Sequence, residues 1–376
     1  MMGTPLFIGL MSGTSLDGVD GVLVDFSGAA PVVLQHGYAA FDSAFAGELL
    51  ALNSPSGNEI HRAALAANTL ARAYAGVVHG LLHRAGMVPE AVTAIGAHGQ
   101  TVRHRPQEFD ATGYTVQLNN PALLAELTGI DVVADFRNRD LAAGGQGAPL
   151  VPAFHRDIFG RLSPRTCVLN IGGISNLTVL PASAGAGAGS PLGFDCGPGN
   201  ALMDFWCLRH TGERFDTDGA WADSGTVHPP LLEQLLDEPY LAKAPPKSTG
   251  RDLFNPDWLS TQLQAHADLP AADVQATLCA FTARACSQDV VRHAPGTALL
   301  VACGGGALNR SLMRRLQALL PAIQVQSSAD HGLPPLQVEA TAFAWLARKA
   351  VSRETGSLTS VTGARGARVL GAIYPR

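Results

Sequence analysis

LFIGLMSGTSLDGVDGVLVD (residues 6–25) and TCVLNIGGISNLTVL (residues 166–180) are built alike: an apolar run, a turn of glycines and small polar residues, then a second run in which apolar and small or polar positions alternate. Short apolar runs bounded by glycine turns read as strands, and two of them joined by a tight turn read as a hairpin. The first stretch predicts strands over 6–11 and 19–26, continued by a third over 32–39 after the turn Gly28-Ala29-Ala30-Pro31. The second predicts strands over 166–171 and 176–180, followed by 192–194.

Outward from each meander the pattern changes to helices and single strands. Ile60, Ala64, Leu65, Leu70, Ala73, Val77, Val78 and Leu81 recur at helical spacing over 59–84, and Gly86 stops the run. Strands are predicted over 92–97 and 131–135, with a short helix from Pro121 between them. After the second meander come helices over 200–210 and 272–293, a strand over 298–302 and a helix over 338–351. The layout strand, strand, strand, helix, strand thus occurs twice, which predicts an α/β chain of two similar halves. The Ala/Gly-rich segment 181–190 reads as a flexible hairpin loop.

Composition narrows the function classes. The 376 residues suit two or three domains at roughly 150 residues each. With 47% hydrophobic and 15% charged residues and a mean hydropathy of +0.14, the chain has the material for large cores, which excludes global disorder. The 26 basic and 31 acidic side chains give a net charge of -5, without the basic footprint of a nucleic-acid binder. No apolar run reaches the length of a membrane span. Residues 1–61 contain no Lys or Arg, so no secretory signal is expected. Six cysteines without C-x-x-C or zinc-ribbon spacing predict reduced core thiols and a soluble, cytoplasmic protein.

Several turns have residues suited to chemistry. In residues 9–20 the small residues Ser12, Gly13, Thr14 and Ser15 would let backbone N–H groups converge on a phosphate, or would simply make a hairpin. Gly172 and Gly173, with Asn176, occupy the equivalent turn of the second half, and Gly304, Gly305 and Gly306 follow a strand where a flat ring could lie against them. Asp195 stands at a predicted strand end before a helix, as a general base or as a helix cap. His98, in GAHGQT, and Arg137, in DFRNRD, could meet a ligand or serve the fold. Glu339 opens an otherwise apolar helix, and Asp17 and Asp20 could stabilise the first turn or stand near magnesium. No Walker-A loop occurs: Lys247-Ser248-Thr249 follows Pro245-Pro246 rather than a glycine loop. No G-x-S-x-G occurs, and no G-x-G-x-x-G follows a predicted strand.

Taken together, GLMSGTSLDGVD, GAHGQTVRH, ADFRNRDLAAGGQGAPLVP, LNIGGISNLT, GFDCGPGNALMD, ACGGGALN, LPPLQVEATAFAWLA and VTGARGARVLGAIYP resemble, in order and across nearly the whole chain, the anhydro-N-acetylmuramic acid kinase family. The resemblance implies two actin-like ATPase lobes of ribonuclease-H type with a nucleotide cleft between them, residues 1–160 with 360–376 forming the first and 161–359 the second. It implies an ATP-dependent kinase that opens the 1,6-anhydro ring with water and phosphorylates O6, in peptidoglycan recycling. The implied cofactors are ATP and Mg²⁺, the latter without assignable ligands. The implied ATP site is Gly13, Thr14, Ser15, Leu16, Asp17, Gly18, Val19 and Asp20, with Gly172, Gly173, Asn176 and Gly304, Gly305, Gly306. Asp195 matches the base, with Glu339 as its catalytic companion, and His98, Arg137 and Glu339 would meet the sugar. The expected partners are the small sugar and ATP, with no nucleic acid and no membrane; a homodimer is the candidate assembly. Another kinase of this fold, an ATP-gated binding protein and a plain glycosidase are the competing classes.

Overall fold

The computed structural model describes residues 5–13, 15–162, 165–181, 190–245, 247–250 and 253–376. Strand β1 (Leu6–Met11) pairs antiparallel with β2 (Gly18–Asp25), and β2 with β3 (Val32–Ala40), as the first apolar runs require. The other edge of β1 runs parallel to β4 (Ala94–Ala97), which runs parallel to β7 (Val132–Ala134). The C-terminal strand Ala372–Tyr374 closes that side against β7. Between them β5 (Gln100–Pro106) and β6 (Gly113–Leu118) form a separate hairpin, absent from the sequence reading because its strands alternate with charge rather than with apolar residues.

The helix Glu59–Ala85 buries Leu70, Tyr74, Val78 and Leu81 among Ile8, Leu10, Val19, Leu23 and Ile95. It stops where expected: Gly86 takes the left-handed conformation at φ 62, and the N–H of Met87 reaches back to the Leu82 carbonyl at 3.0 Å. Burial of each such large apolar side chain is worth about 1.5–3 kcal/mol, so this one helix anchors much of the sheet.

A second five-stranded sheet repeats the arrangement. Strand β8 (Thr166–Ile171) pairs antiparallel with β9 (Ile174–Val179), and β9 with β10 (Leu192–Pro198). On its other side β8 runs parallel to β11 (Leu299–Cys303), and β11 to β12 (Gln324–Ser327). Both sheets therefore carry three antiparallel strands in the order third, second, first, then two parallel strands. This strand order, present twice, agrees with the two ribonuclease-H-type lobes that the resemblance implies. The helix Ala271–His293 packs Leu278, Phe281, Cys286 and Val290 into a core with Leu169, Ile171, Phe194 and Leu300.

The chain divides into two compact units: the described residues up to Ile158 with Gln337–Arg376, and Phe159–Leu336. Residues 337–359 thus belong with the first unit, whereas the sequence reading put them in the second. The reason lies in two glycines. Gly9 of β1 and Gly96 of β4 stand opposite each other in register. A Cβ on Gly9 would come within 2.8 Å of the Ala340 carbonyl carbon, and one on Gly96 within 2.7 Å of that of Phe343. The missing side chains form a trough in the sheet, and the backbone of the helix Val338–Val351 lies directly in it. The loop expected over 181–190 falls almost entirely outside the described residues.

Candidate active site

In the first unit the polar residues gather around Arg137, which immediately precedes the helix Asn138–Ala142. Its Nη1 donates to the Gly147 carbonyl at 2.8 Å, while Nη2 and Nε donate to Nε2 of His98 at 2.9 and 3.2 Å. His98 is buried beside the Phe343 ring, with ring centroids 4.6 Å apart. Burial, reinforced by the guanidinium charge, pushes its pKa down to about 3. It is therefore a neutral imidazole, accepting on Nε2 and carrying its proton on Nδ1. His104 is likewise pushed down to about 4, by burial first and Arg137 second. Burial also lowers Arg137, to about 10, against the opposing charges of Glu339 and Asp140, so it stays cationic at neutral pH. Glu339, half-buried in the first turn of the helix Val338–Val351, is thus an electrostatic neighbour of Arg137.

The glycine run after Arg137 has its own cause. Buried Asp140 accepts from the Gly147 N–H at 2.8 Å and from the Thr362 hydroxyl at 2.9 Å. A Cβ on Gly145 would meet that carboxyl group, its carbon 2.8 Å away. The loop is folded tightly around one carboxylate, and its Gly147 carbonyl orients the arginine.

The turn between β1 and β2 is tied to the β5–β6 hairpin. Gln100, fully buried, accepts from the Ser12 hydroxyl and donates Nε2 to the Gly13 carbonyl at 3.1 Å. Among the residues expected to meet ATP, Gly13 has room for a side chain: a Cβ there would meet only the Ser15 hydroxyl oxygen, at 3.7 Å, beyond its chain neighbours. Ser15 donates to Asp17 at 2.6 Å, and Asp20 contacts His36 at 3.1 Å across the β2–β3 ladder. Leu16 and Val19 are buried in the core, so only their backbones face outward chemistry, and Gly18 lies under the Tyr38 ring. Thr14 lies outside the described residues.

The second unit holds Asp195. The strand expected to end at residue 194 continues to Pro198, so Asp195 stands inside β10 at a bulge between Asp195 and Gly197. The helix Ala201–Thr211 begins after Asn200, which rules out the helix-cap role for Asp195. The Ser248 hydroxyl and the Thr249 N–H donate to its Oδ2 at 2.8 and 3.1 Å, and Oδ1 receives no bond among the described residues. Burial pushes its pKa up, opposed in turn by the Thr249 and Ser248 bonds and by the Lys247 charge. An aspartate so held keeps one oxygen for a proton and is a stronger base than an exposed one.

Across the sheet, Asp195 pairs with Asn176, Asn176 with Asn170, and Asn170 with Cys303. This row brings the Gly172-Gly173 turn, Asp195 and the glycines after β11 to one end of one sheet. The Gly172 and Gly173 carbonyls accept from the Asn200 and Gly199 N–H groups at 2.7 and 2.9 Å. Gly304, at φ 77, would place a Cβ 2.7 Å from the Ile171 carbonyl oxygen, and Gly306 would meet the Ile171 side chain. Close packing accounts for those two, and a Cβ on Gly305 would come within 3.3 Å of Asn200 Nδ2.

Sequence reasoning missed Gln100 as the clamp on the first turn and Ser248-Thr249 as the donors to Asp195. The latter sit in the one Lys-Ser-Thr sequence of the chain, set aside because it lacks the glycines of a phosphate loop.

Residues 5–376 match the family of anhydro-N-acetylmuramic acid kinase. The chain belongs to this family. A relative from Variovorax paradoxus, named anhydro-N-acetylmuramic acid kinase, is 64% identical over 374 residues, covering 100% of both chains. Relatives with the same name from Albidiferax ferrireducens and Cupriavidus metallidurans are 63% and 57% identical, covering 98% and 99% of this chain and 99% and 98% of theirs. Membership of the kinase family sets aside the glycosidase and the binding protein as competing classes. No helix among the described residues is long and apolar enough to cross a membrane.

Proposed function

We propose that the chain is an ATP-dependent kinase that opens 1,6-anhydro-N-acetylmuramic acid with water and phosphorylates O6, giving N-acetylmuramic acid 6-phosphate and ADP in peptidoglycan recycling. The observation that carries this is the family match along the whole chain, with relatives of the same length and name. ATP is the phosphoryl donor, and the cytoplasm is the compartment that supplies it; all six cysteines are free thiols.

The chemistry follows from the substrate. O6 of a 1,6-anhydro sugar has no proton to remove, so the base must act on water. Asp195 takes the proton through Oδ1 as the water oxygen bonds to C1; the C1–O6 bond breaks, and O6 bonds to the γ-phosphorus as ADP leaves. Phosphoryl transfer thus replaces the acid that a glycosidase uses on its leaving oxygen. Glu339 orients the water, and Arg137, with neutral His98 fixed behind it, recognises the sugar. Residues 13–20 of the first unit, and Gly172, Gly173, Asn176 and the glycines 304–306 of the second, receive the nucleotide.

Asp17, whose carboxylate accepts from the Ser15 hydroxyl at 2.6 Å in the first turn, would stand near a magnesium ion carried mainly by phosphate oxygens and water. When bound, the ion neutralises charge on the transferred phosphoryl group.

A coupled assay of ADP release, with and without the anhydro sugar, tests the reading: release must depend on the sugar. In ¹⁸O-labelled water the label must enter C1 with inversion and stay out of the phosphate. Label in phosphate, or an unphosphorylated opened sugar that accumulates first, overturns the concerted course.

A further inference from the structure

Behind Asp195 lies a charged pair that the proposed reaction does not use. Lys247 Nζ lies 2.9 and 3.2 Å from the two carboxylate oxygens of Asp289, and the side chains are only 1% and 3% exposed. The ammonium also donates to the Leu241 carbonyl at 3.3 Å and rests 5.3 and 5.6 Å from the ring centres of Tyr240 and Phe194. His293 reaches Asp289 from the next turn of the same helix at 3.6 Å, and Arg292 donates to the Leu241 carbonyl as well.

The pair is connected to Asp195 from several sides. The Asp195 N–H donates to the Lys247 carbonyl at 3.2 Å, and the Tyr240 hydroxyl donates to the Asp195 carbonyl at 2.8 Å. The two residues after Lys247 donate to the Asp195 carboxylate. A buried ion pair is costly to desolvate and adds little to stability over well-packed apolar residues. Its presence one residue before the carboxylate donors calls for another role.

We propose that Lys247, anchored by Asp289, is the positioning residue of the base: it fixes the segment 247–249 so that Ser248 and Thr249 hold Oδ2 of Asp195 and leave Oδ1 turned to the reactant. The inference rests on the reading of Asp195 as the base. Asp195 itself is built into β10 and needs no such anchor to exist; its donors, on an irregular segment, do.

The test is the double variant Lys247→Met, Asp289→Leu, which removes both charges and keeps the volume. Circular dichroism and melting establish its fold. The expected result is a roughly 10- to 100-fold lower kcat, with KM for ATP and sugar within about two-fold, because the lost effect lies on the reacting atoms. The acidic limb of the pH profile should move to higher pH, since the Lys247 cation that favours ionised Asp195 is gone while burial remains. The carboxyl resonance of Asp195, assigned with Asp195→Asn and followed by ¹³C NMR without substrate, must shift its titration in the same direction.

That last measurement separates the two ideas. If wild type shows no sugar-dependent turnover yet the titration moves, the kinase reading fails and the anchoring stands. An unchanged kcat and an unchanged titration in a folded double variant overturn the anchoring. Should the double variant not fold, Lys247→Gln with Asp289→Asn, which removes both charges and keeps a polar pair, is read in the same way, with smaller shifts of the same sign expected and none overturning the proposal.

Discussion

Asp195 combines two opposed influences, burial that raises its pKa and a set of donors that restrains the rise. A base must be ionised to work, so activity should fall as pH drops through a value above the ordinary aspartate range near 3.9. Asp195→Asn should keep the fold and nucleotide affinity and lose about 10²- to 10⁴-fold in kcat, the usual share of a general base. A variant with near-normal kcat would make Asp195 a structural residue only. Arg137 is the counterpart on the recognition side. Its guanidinium spans the Gly147 carbonyl and the His98 ring at once, a fork that an ammonium cannot reproduce. Arg137→Ala and Arg137→Lys should both raise KM for the sugar with a smaller effect on kcat, measured by initial rates; a fall in kcat alone contradicts the recognition role. At this scale the sequence shows which residues have chemistry but not what holds them. Asp195, Arg137 and Glu339 stand in compact motifs, whereas Lys247 and Asp289 are 42 positions apart and become partners only through the fold.

Elements were legible where periodicity was strong and local. The meander strands β1 and β8 end where the apolar runs end, and the helix Glu59–Ala85 ends on its glycine. The region between Thr217 and His266 was not legible, because it consists of short α- and 3₁₀-turns with little room for a repeating pattern. The β5–β6 hairpin was missed for the opposite reason, since Arg103, His104 and Arg105 mask its alternation. The trough of Gly9 and Gly96 is the element-scale feature with the clearest consequence. Filling it with a methyl group forces the helix Val338–Val351 off the sheet, and overpacking of this kind costs about 1–3 kcal/mol. Gly96→Ala should therefore lower Tm, and because Glu339 rides on the displaced helix, it should also depress sugar-dependent turnover. Unchanged Tm in calorimetry would mean that the helix yields without cost. A glycine at the centre of each of two apolar strands was the available signal for this contact.

At the scale of the molecule, two similar α/β units and the family were legible, the units because the strand pattern recurs and the family because its motifs are spread along the chain. The return of 337–359 to the first unit was not, since nothing local in an apolar helix says which sheet it covers. Whole-molecule stability carries a further mark of the buried histidines. His98 and His155 are both held neutral by burial, their pKa values pushed down to about 3, while an unfolded chain protonates near 6.5. Between those values the unfolded state binds protons that the folded state excludes, so stability is full above about pH 6.5 and declines as pH falls, by up to about 1.4 kcal/mol per pH unit for each imidazole. Melting temperature should drop steadily from about pH 7 to about pH 4.5, and His155→Leu should flatten the slope; a flat wild-type curve would refute the protonation argument. The helix in the glycine trough has one more consequence, and it concerns time. A ribosome releases Leu336 before it has made that helix, so the later unit can close while the earlier one still waits with its sheet uncovered. The beginning of the message is thus finished last, and a premature stop near its end would wound the first strands to be synthesised.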